Sequence, residues 1–418
     1  MGGSGRSTFV PGSLVYTATS MKTASDSPVG DSSREVPLRA TLPDGPPPPS
    51  LSLLGLTLEE IREAVLAIGE PAYRARQIYA WIYAKRAASF DGMTNLPAAL
   101  RRRLSEAYRI FRPDVVRTES SADGTRKFLL AAPGGRIESV LMPEEARVTF
   151  CISTQMGCAL DCRFCLTAQA GFGRHLDAGE IVSQVLLMLD DPAAAGHPAN
   201  IVFMGMGEPL HNYDETVRAF RLLCDPSGAG IPRRRITLST AGMVPGIRRL
   251  AQEKVRPRLA ISLNATTDGI RSRLMPINRK YPLADLLDAA ASFPLAPRER
   301  LTFEYVMLDG INASPADAKD LATLVHRHRL RAKVNLIPFN PGAGLGYASP
   351  PAEDIRRFRD ALLAAGVPCS VRQNRGRDIS AACGQLAALA PAGPPGEVLA
   401  PPEGAAARAG RRRRDTDR

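Results

Sequence analysis

The sequence predicts an α/β fold in which parallel strands alternate with helices from residue 148 onward. Three observations predict it. Short apolar runs rich in β-branched residues alternate with amphipathic segments of helical period. The alternation repeats six times and ends on a seventh strand, which is typical of right-handed crossovers in a parallel sheet. Glycine and cysteine motifs follow the strands, where such sheets bind ligands. Both a partial barrel of six βα units and a doubly wound sheet remain open.

The individual elements follow from these apolar runs. We expect strands at Val148–Ser153, Ile201–Met204, Arg235–Thr240, Leu259–Leu263, Leu301–Leu308, Lys333–Phe339 and Cys369–Gln373. The intervening amphipathic segments predict helices at residues 178–190, 214–224, 245–253, 282–292, 315–328 and 353–365.

A smaller region precedes this domain. Residues 51–112 are predicted to form a helical accessory domain whose first helix begins at Thr57, with Glu60 completing a capping box. Residues 113–147 predict short strands joined by hairpin turns, a connector to the domain at 148–388. We expect the helical region to contact a polyanionic partner.

Both ends of the chain predict disorder. Residues 1–50 are rich in Gly, Ser, Thr and Pro and include four consecutive prolines. They contain no apolar core of the kind that a secretory signal needs. Residues 389–418 are rich in Pro, Gly and Ala and end in a basic segment, Arg411–Arg414.

Composition narrows the classes of protein that remain. The 418 residues are 44% hydrophobic and 23% charged, which is ordinary for a folded protein. The net charge of +12 indicates a polyanionic partner, with nucleic acid as the first candidate. No apolar run is long enough to span a membrane. Seven cysteines, an odd number, predict reduced thiols in a reducing compartment such as the cytoplasm.

Three of these cysteines lie together after the first predicted strand of the domain. Cys158, Cys162 and Cys165 are separated by three and then two residues. Three thiolates on one loop bind a metal but leave one coordination position open. A [4Fe–4S] cluster held by three cysteines leaves one iron free for another ligand. The alternative is a structural zinc site with Cys151 as the fourth ligand.

The spacing of these cysteines resembles that of the radical S-adenosylmethionine (SAM) superfamily. A closer resemblance, over residues 56–388, is to the RlmN/Cfr family of radical SAM ribosomal RNA adenine methyltransferases, above all to its RlmN branch. The matching motifs are Gln155–Phe172, Met204–Leu210, Leu238–Gly242 and Asp378–Leu386. The resemblance implies a partial (βα)6 TIM-like radical SAM barrel with one [4Fe–4S] cluster on the three cysteines.

The same resemblance implies a SAM site at the strand ends. A glycine before a carboxylate allows a ligand to approach the backbone and lets the carboxylate bind an ammonium group. Taken alone, such residues are more often caps and turns. The residues implied are Gly207, Glu208, Ser239, Ser262, Leu263, Asn264 and Asn340.

Two further cysteines and one glutamate receive roles from the resemblance. Cys383 is the residue that becomes S-methylcysteine, Cys151 is the resolving thiol that forms a transient disulfide with it, and Glu138 is the proton acceptor. Without the resemblance, both cysteines would be buried core residues and Glu138 an exposed hairpin residue. We expect that ordinary fate for Cys224 and Cys369.

The activity implied is methylation of C2 of an adenine in 23S ribosomal RNA (the family target is adenine 2503) and of adenine 37 in tRNAs. Two SAM molecules are used per turnover, through a covalent protein–RNA adduct. The implied partners are these RNAs and a reductant such as flavodoxin or ferredoxin; we expect a monomer. One alternative is a Cfr-type enzyme that methylates C8. Another is a zinc-stabilised RNA-binding protein without catalysis.

Scattered basic residues are candidates for RNA phosphate contacts. Each group alone would be an ordinary solvated surface. The candidates are Arg101–Arg103, Arg233–Arg235, Arg271, Arg273, Arg279, Lys280, Arg372, Arg375 and Arg377.

Overall fold

A computed structural model of the protein describes residues 51–341 and 345–387. Ten strands form one sheet: β1 Val115–Ser120, β2 Arg126–Ala132, β3 Gly135–Glu144, β4 Arg147–Cys151, β7 Ala199–Phe203, β8 Ile236–Thr240, β9 Arg258–Ser262, β10 Leu301–Met307, β11 Ala332–Pro338 and β12 Cys369–Val371. A separate hairpin pairs β5 Gln155–Gly157 with β6 Phe172–His175. The α-helices are α1 Leu58–Ala67, α2 Arg74–Tyr79, α3 Ala98–Ala107, α4 Leu166–Gln169, α5 Ala178–Leu189, α6 Tyr213–Cys224, α7 Val244–Ala251, α8 Asp268–Leu274, α9 Leu283–Ala291, α10 Pro315–Arg327 and α11 Ala352–Ala364.

The parallel part of the sheet decides between the two predicted architectures. Strands β4 and β7 to β12 are parallel and lie side by side in chain order, each followed by a helix that leads to the next. A doubly wound sheet would reverse its strand order at a switch point. The order here never reverses, so the fold is a partial barrel of six βα units. All seven predicted strands and all six predicted helices are present, with ends displaced by at most two residues.

The antiparallel strands β1 to β3 extend the sheet beyond β4, and Val140 of β3 is the cross-strand partner of Cys151. The chain after β12 returns to these strands. Arg375 donates to the carbonyl of Pro143 at 2.7 Å, and Ser121 donates to Asp378 at 2.6 Å. The segment that carries Cys383 therefore crosses from β12 toward β1 to β3, along the open side of the barrel.

The N-terminal helices pack against the barrel. Helix α1 begins with the predicted capping box, and α2 continues into a single π-helical turn at Ala80–Ala84. The Tyr79 hydroxyl donates to Asp225 at 2.7 Å, and Arg218 Nε on α6 donates to the Gly55 carbonyl at 2.7 Å. These polar contacts, together with a shared apolar core, join the helices to the α6 side of the barrel.

The lower part of the barrel interior is lined by polar residues, unlike the branched apolar filling common in closed barrels. Alternate residues of each strand face inward. The inward positions that line its lower part include Thr149, Thr237, Thr302, Lys333, Asn335 and Ser370. The interior is therefore a cavity able to admit a polar ligand.

No helix among the described residues is long and apolar enough to cross a membrane. The predicted disordered segments 1–50 and 389–418 lie outside the described residues.

Candidate active site

The loop between β5 and β6 carries the three clustered cysteines. Backbone hydrogen bonds fix it within the motif and directly after it. The Arg163 amide donates to the Leu274 carbonyl at 2.9 Å, and the Leu166 amide donates to the Gly384 carbonyl at 2.8 Å. All three cysteines line one cavity. The second bond also links the cysteine loop directly to the segment that carries Cys383.

The thiols need a compensating positive charge to ionise. Burial raises the pKa of Cys158 to about 12 and raises the pKa values of Cys162 and Cys165 as well. Bound iron would supply that charge, because a metal deprotonates a coordinating thiol. Within 51–341 and 345–387, no three His, Cys, Asp or Glu side chains converge as a single metal ion requires. Three soft donors on the wall of one cavity fit a multi-iron cluster.

Most of the predicted SAM contacts line the same cavity, namely Gly207, Glu208, Ser239, Ser262, Asn264 and Asn340. Leu263 does not line it. Its side chain is fully buried, its amide donates to the Glu304 carbonyl at 3.0 Å, and its carbonyl accepts from Arg271 at 3.0 Å. The backbone of Leu263 thus helps to shape the wall that Ser262 and Asn264 present.

The carboxylate of Glu208 is positioned by two backbone amides and can accept further hydrogen bonds. Its two oxygens accept from the amides of Leu210 at 3.0 Å and Ala241 at 2.7 Å. Burial raises the pKa of this carboxyl to about 7. A carboxylate accepts about four hydrogen bonds, so room remains for the ammonium group of SAM. Gly207 has a φ of +99°, and a side chain there would collide with Gln155, so only glycine fits.

An unpaired acceptor in this cavity points to a ligand. The Oδ1 atom of Asn340 is buried and accepts no hydrogen bond within the described part of the chain. Leaving such an atom unpaired is costly, and SAM offers ammonium and hydroxyl donors. Asn264 differs, because its Oδ1 already accepts from the Val306 amide at 2.8 Å. The residues present therefore fit SAM, and Asn340 is more available than Asn264 to accept a hydrogen bond from it.

A second cavity adjoins the first and shares part of its lining. Cys151 lines only the second, at the end of β4, whereas Cys383 lines both. The other residues common to both cavities are Met204, Glu304, Ile337 and Arg372. Cys383 thus lies where the cavity lined by the predicted SAM contacts meets a polar cavity that holds another thiol.

Arg372 tunes the electrostatics of this junction. Burial raises the pKa of Cys151 to about 12, and the nearby Arg372 guanidinium opposes that rise. Interaction with Cys383 in turn raises the pKa of Arg372. The Arg372 charge favours the thiolate of Cys151, which is its nucleophilic form, against the burial that disfavours it.

Comparisons with known proteins agree with this geometry. Residues 51–110 match the model "Ribosomal RNA large subunit methyltransferase N-terminal domain", and residues 152–322 match "Radical SAM superfamily". A protein of Anaeromyxobacter dehalogenans named "Dual-specificity RNA methyltransferase RlmN" is 47% identical over 82% of this chain and 93% of its own length. The chain belongs to the RlmN family of radical SAM enzymes. A Geobacter sulfurreducens RlmN is 48% identical, over 80% of this chain and 92% of its own.

A solved structure supports the RlmN-family fold. The radical SAM methyltransferase from Sphaerobacter thermophilus is 44% identical, with a TM-score of 0.77 over 81% of this chain and all of its own. The predicted radical SAM barrel is thereby confirmed, as is the prediction of an enzyme that uses a [4Fe–4S] cluster and SAM. Membership in this family of enzymes does not fit a zinc-stabilised binding module.

In this RlmN-family protein the Glu138 side chain is more buried than that of an exposed hairpin residue. It is 4% exposed, so the interpretation as an exposed glutamate is wrong. Its Oε2 accepts from the Ala387 amide at 2.8 Å, and its Oε1 lies 3.4 Å from the Lys127 ammonium. It lines neither of the two cavities described. Its carboxylate instead holds the chain four residues beyond Cys383.

Several further sequence predictions need correction. Cys224 and Cys369 are half-buried at the edge of the core rather than fully buried. Arg271 is 0% exposed and cannot contact RNA phosphates from the surface. Arg375 donates to a backbone carbonyl of β3, and Arg372 lines the cavities. The basic candidates that are exposed are Arg102, Arg103, Arg234, Arg273, Arg279, Lys280 and Arg377.

The correction for Arg271 carries a prediction. Its guanidinium donates to the carbonyls of Leu263 at 3.0 Å and Ala241 at 2.7 Å, which joins the ends of β9 and β8. We expect Arg271→Met to lower the free energy of unfolding by about 3 kcal/mol, because buried carbonyls lose charged donors. Urea unfolding monitored by circular dichroism measures this change. The matched control is the exposed Arg273→Met, and equal effects of the two variants would contradict the structural role.

Glu304 is a residue of the site that the sequence analysis missed. It lies on β10, whose apolar character suggests only a core strand. Burial raises the pKa of its carboxyl, and the Arg372 guanidinium opposes that rise. The sequence contains one indication of its role. Thr302 and Glu304 are two polar residues at alternate positions of an otherwise apolar strand.

Proposed function

We propose that this protein methylates C2 of an adenine in 23S ribosomal RNA, and adenine 37 of tRNAs, through a methylated cysteine. The observation that carries the proposal is the position of Cys383 at the junction of the two cavities. On one side lie the three cluster thiols and the SAM-binding residues. On the other side a polar cavity with Cys151 leaves space for a nucleobase extruded from its stack.

The methylene bridge to the base is built on Cys383. Bound SAM and the reduced cluster would together supply a methyl group and a 5′-deoxyadenosyl radical. Cys383 carries the methyl group on its sulfur, a nucleophile, because C2 of adenine is not nucleophilic enough to take it by displacement. Loss of one hydrogen atom from that S-methyl group leaves a carbon radical that adds to C2. The ring radical that results has to give up one electron, for which the oxidised cluster would be the acceptor, and the product is then a thioether between protein and RNA.

Release of the RNA requires Cys151. Its thiolate attacks the Cys383 sulfur, an S–S bond forms, and the bond from that sulfur to the methylene carbon breaks. The electron pair of the broken bond passes to the methylene carbon and its base, and uptake of a proton there gives the methyl group. The proton at C2 is taken up by Glu138 as the base changes from adduct to methyladenine. In the described conformation Glu138 is covered by Ala387, so this role requires the segment after Cys383 to shift. An external thiol then reduces the disulfide.

The RNA assignment rests on charge and on the relatives. The matched proteins of Anaeromyxobacter dehalogenans and Geobacter sulfurreducens are named dual-specificity RNA methyltransferases. The net charge of +12 and the exposed arginines of α3 suit phosphate contacts. We infer that residues 51–112 bind the RNA. We also infer that a flavodoxin or ferredoxin reduces the cluster and that the protein acts as a cytoplasmic monomer.

Nucleoside analysis tests the proposal. We expect 2-methyladenosine to disappear from digested 23S rRNA and tRNA when the gene is deleted. Complementation with the wild-type gene or with Cys224→Ala should restore it, because the thiol of Cys224 lines neither active-site cavity. Complementation with Cys383→Ala should not. Loss of 8-methyladenosine instead would establish the Cfr-type alternative, and an unchanged nucleoside profile would refute both.

A further inference from the structure

A buried carboxylate, that of Glu304, lies at the junction of the two cavities with one oxygen available to accept a hydrogen bond. Glu304 is 5% exposed, and its Oε2 atom is buried with no hydrogen-bond partner among the described residues. Its other oxygen accepts from Asn335 Nδ2 at 3.0 Å, and Asn335 Oδ1 accepts from the Ser370 hydroxyl at 2.8 Å. This chain across β10, β11 and β12 fixes the carboxylate and leaves one oxygen available.

The position of this oxygen relative to the reactive sulfurs is set by the barrel. Glu304 lies on β10, four strands from β4 in the sheet order, and Cys151 ends β4. In a barrel of seven parallel strands this separation puts the two on facing walls. Both residues line the second cavity, together with Cys383. A flat ligand between the walls would meet sulfur at one edge and the carboxylate at the other.

We propose that Glu304 Oε2 accepts a hydrogen bond from the exocyclic amino group of the target adenine and makes the cavity selective for that base. The inference rests on the proposed function. In adenine, C2 and the amino-bearing C6 flank N1, so the directions outward from these two carbons diverge by about 120°. A base that presents C2 to Cys383 therefore directs its amino group to another part of the cavity wall, and Glu304, which lines both cavities with Cys383, offers an acceptor there.

The same position discriminates against guanine. Guanine carries an oxygen on C6, and that oxygen would meet the unpaired carboxylate oxygen as a second acceptor. A site built to accept a hydrogen bond rejects a ligand that cannot donate one, because its own buried group stays unpaired. The carboxylate supplies selectivity through one contact, and Asn335 with Ser370 holds it in position.

SAM is the other possible source of the donor. Glu304 is the cross-strand partner of Ser262, which lines the SAM cavity. Ribose hydroxyls of SAM would then satisfy Oε2. The two sources differ in what they affect: a contact with SAM changes SAM binding in the absence of RNA, whereas a contact with adenine changes only the RNA reaction.

The experiment compares Glu304→Gln with wild-type protein on two RNAs. One is a 23S rRNA fragment with adenine at the target position, and the other has purine there, which keeps C2 but lacks the amino group. We expect Glu304→Gln to lower kcat/KM for the adenine RNA about tenfold to a hundredfold, the range for hydrogen bonds to charged groups. Wild-type protein should lose a similar factor on the purine RNA, and the variant should lose little more.

The control variant is Glu144→Gln. Glu144 lines the second cavity too, but its oxygens already pair with Thr149 at 3.3 Å and Arg147 at 2.5 Å. It should discriminate between the two RNAs as wild-type protein does. SAM affinity without RNA, measured by equilibrium dialysis on the cluster-loaded proteins, should be unchanged in Glu304→Gln.

Two results would overturn the inference. One is an equal loss by Glu304→Gln on both RNAs, and the other is a matching loss of SAM affinity, which would assign the oxygen to SAM. Failure of the wild-type protein to methylate the adenine RNA at all would instead refute the proposed function.

Discussion

Changing Cys151 to alanine is expected to leave the protein covalently attached to its RNA. Addition of the Cys383 methylene to adenine requires no second thiol, so the adduct still forms. Breakdown of the adduct does require a second thiol, because only a thiolate beside the Cys383 sulfur can form the S–S bond that frees the methylated base. Cys151 lines the same cavity as Cys383, with Arg372 favouring its thiolate. Release of methylated RNA should fall by about a hundredfold or more, measured as labelled RNA that stays with the protein on a denaturing gel.

Matched variants make this result specific. Cys383→Ala and the double variant with Cys151→Ala should give no adduct, because the bridging sulfur is gone. Cys224→Ala should behave as wild-type, since that thiol lies on α6. Free methylated RNA at the wild-type rate from Cys151→Ala would remove the resolving role. Adduct formation by Cys383→Ala would move the bridge to another residue.

Local patterns predict the elements of this protein because local physics forms them. The capping box of Thr57 and Glu60 and the alternation of strands and helices involve neighbours in sequence, and both are present. The choice between a barrel and a doubly wound sheet depends on which strands pair. That choice is nonlocal, so the sequence left it open.

Burial of individual charged residues was the harder property to predict. Arg271 and Arg273 are two positions apart on α8, and in sequence they look alike. One is enclosed by the ends of β8 and β9, and the other faces solvent. Glu138 and Glu304 show the same difficulty, because their neighbours come from distant segments. Residues that act through tertiary contacts need the fold before they can be identified.

Cys162→Ala is the second variant with a large expected effect. Two thiolates and SAM cannot hold a cluster that needs three protein ligands. We expect wild-type protein purified without oxygen to contain about four irons and matching sulfide per chain, and this variant to contain little of either. Reductive cleavage of SAM to 5′-deoxyadenosine should disappear with them. Iron and sulfide assays with chromatography of the cleavage product provide the measurement.

RNA affinity separates loss of chemistry from loss of fold in this variant. Cys162 and Phe164 pack into the smaller apolar cluster around Met275 and Phe339, and the N-terminal helices belong to the other, larger core. RNA binding by residues 51–112, as proposed above, should therefore persist in this variant, with an affinity within about threefold of wild-type. The control is Cys369→Ala, a thiol remote from the cysteine loop on β12, which should keep iron, SAM cleavage and RNA binding. Zinc in place of iron in the wild-type protein, with RNA affinity lost in Cys162→Ala, would mean that the cysteines hold the RNA-binding fold together and perform no chemistry.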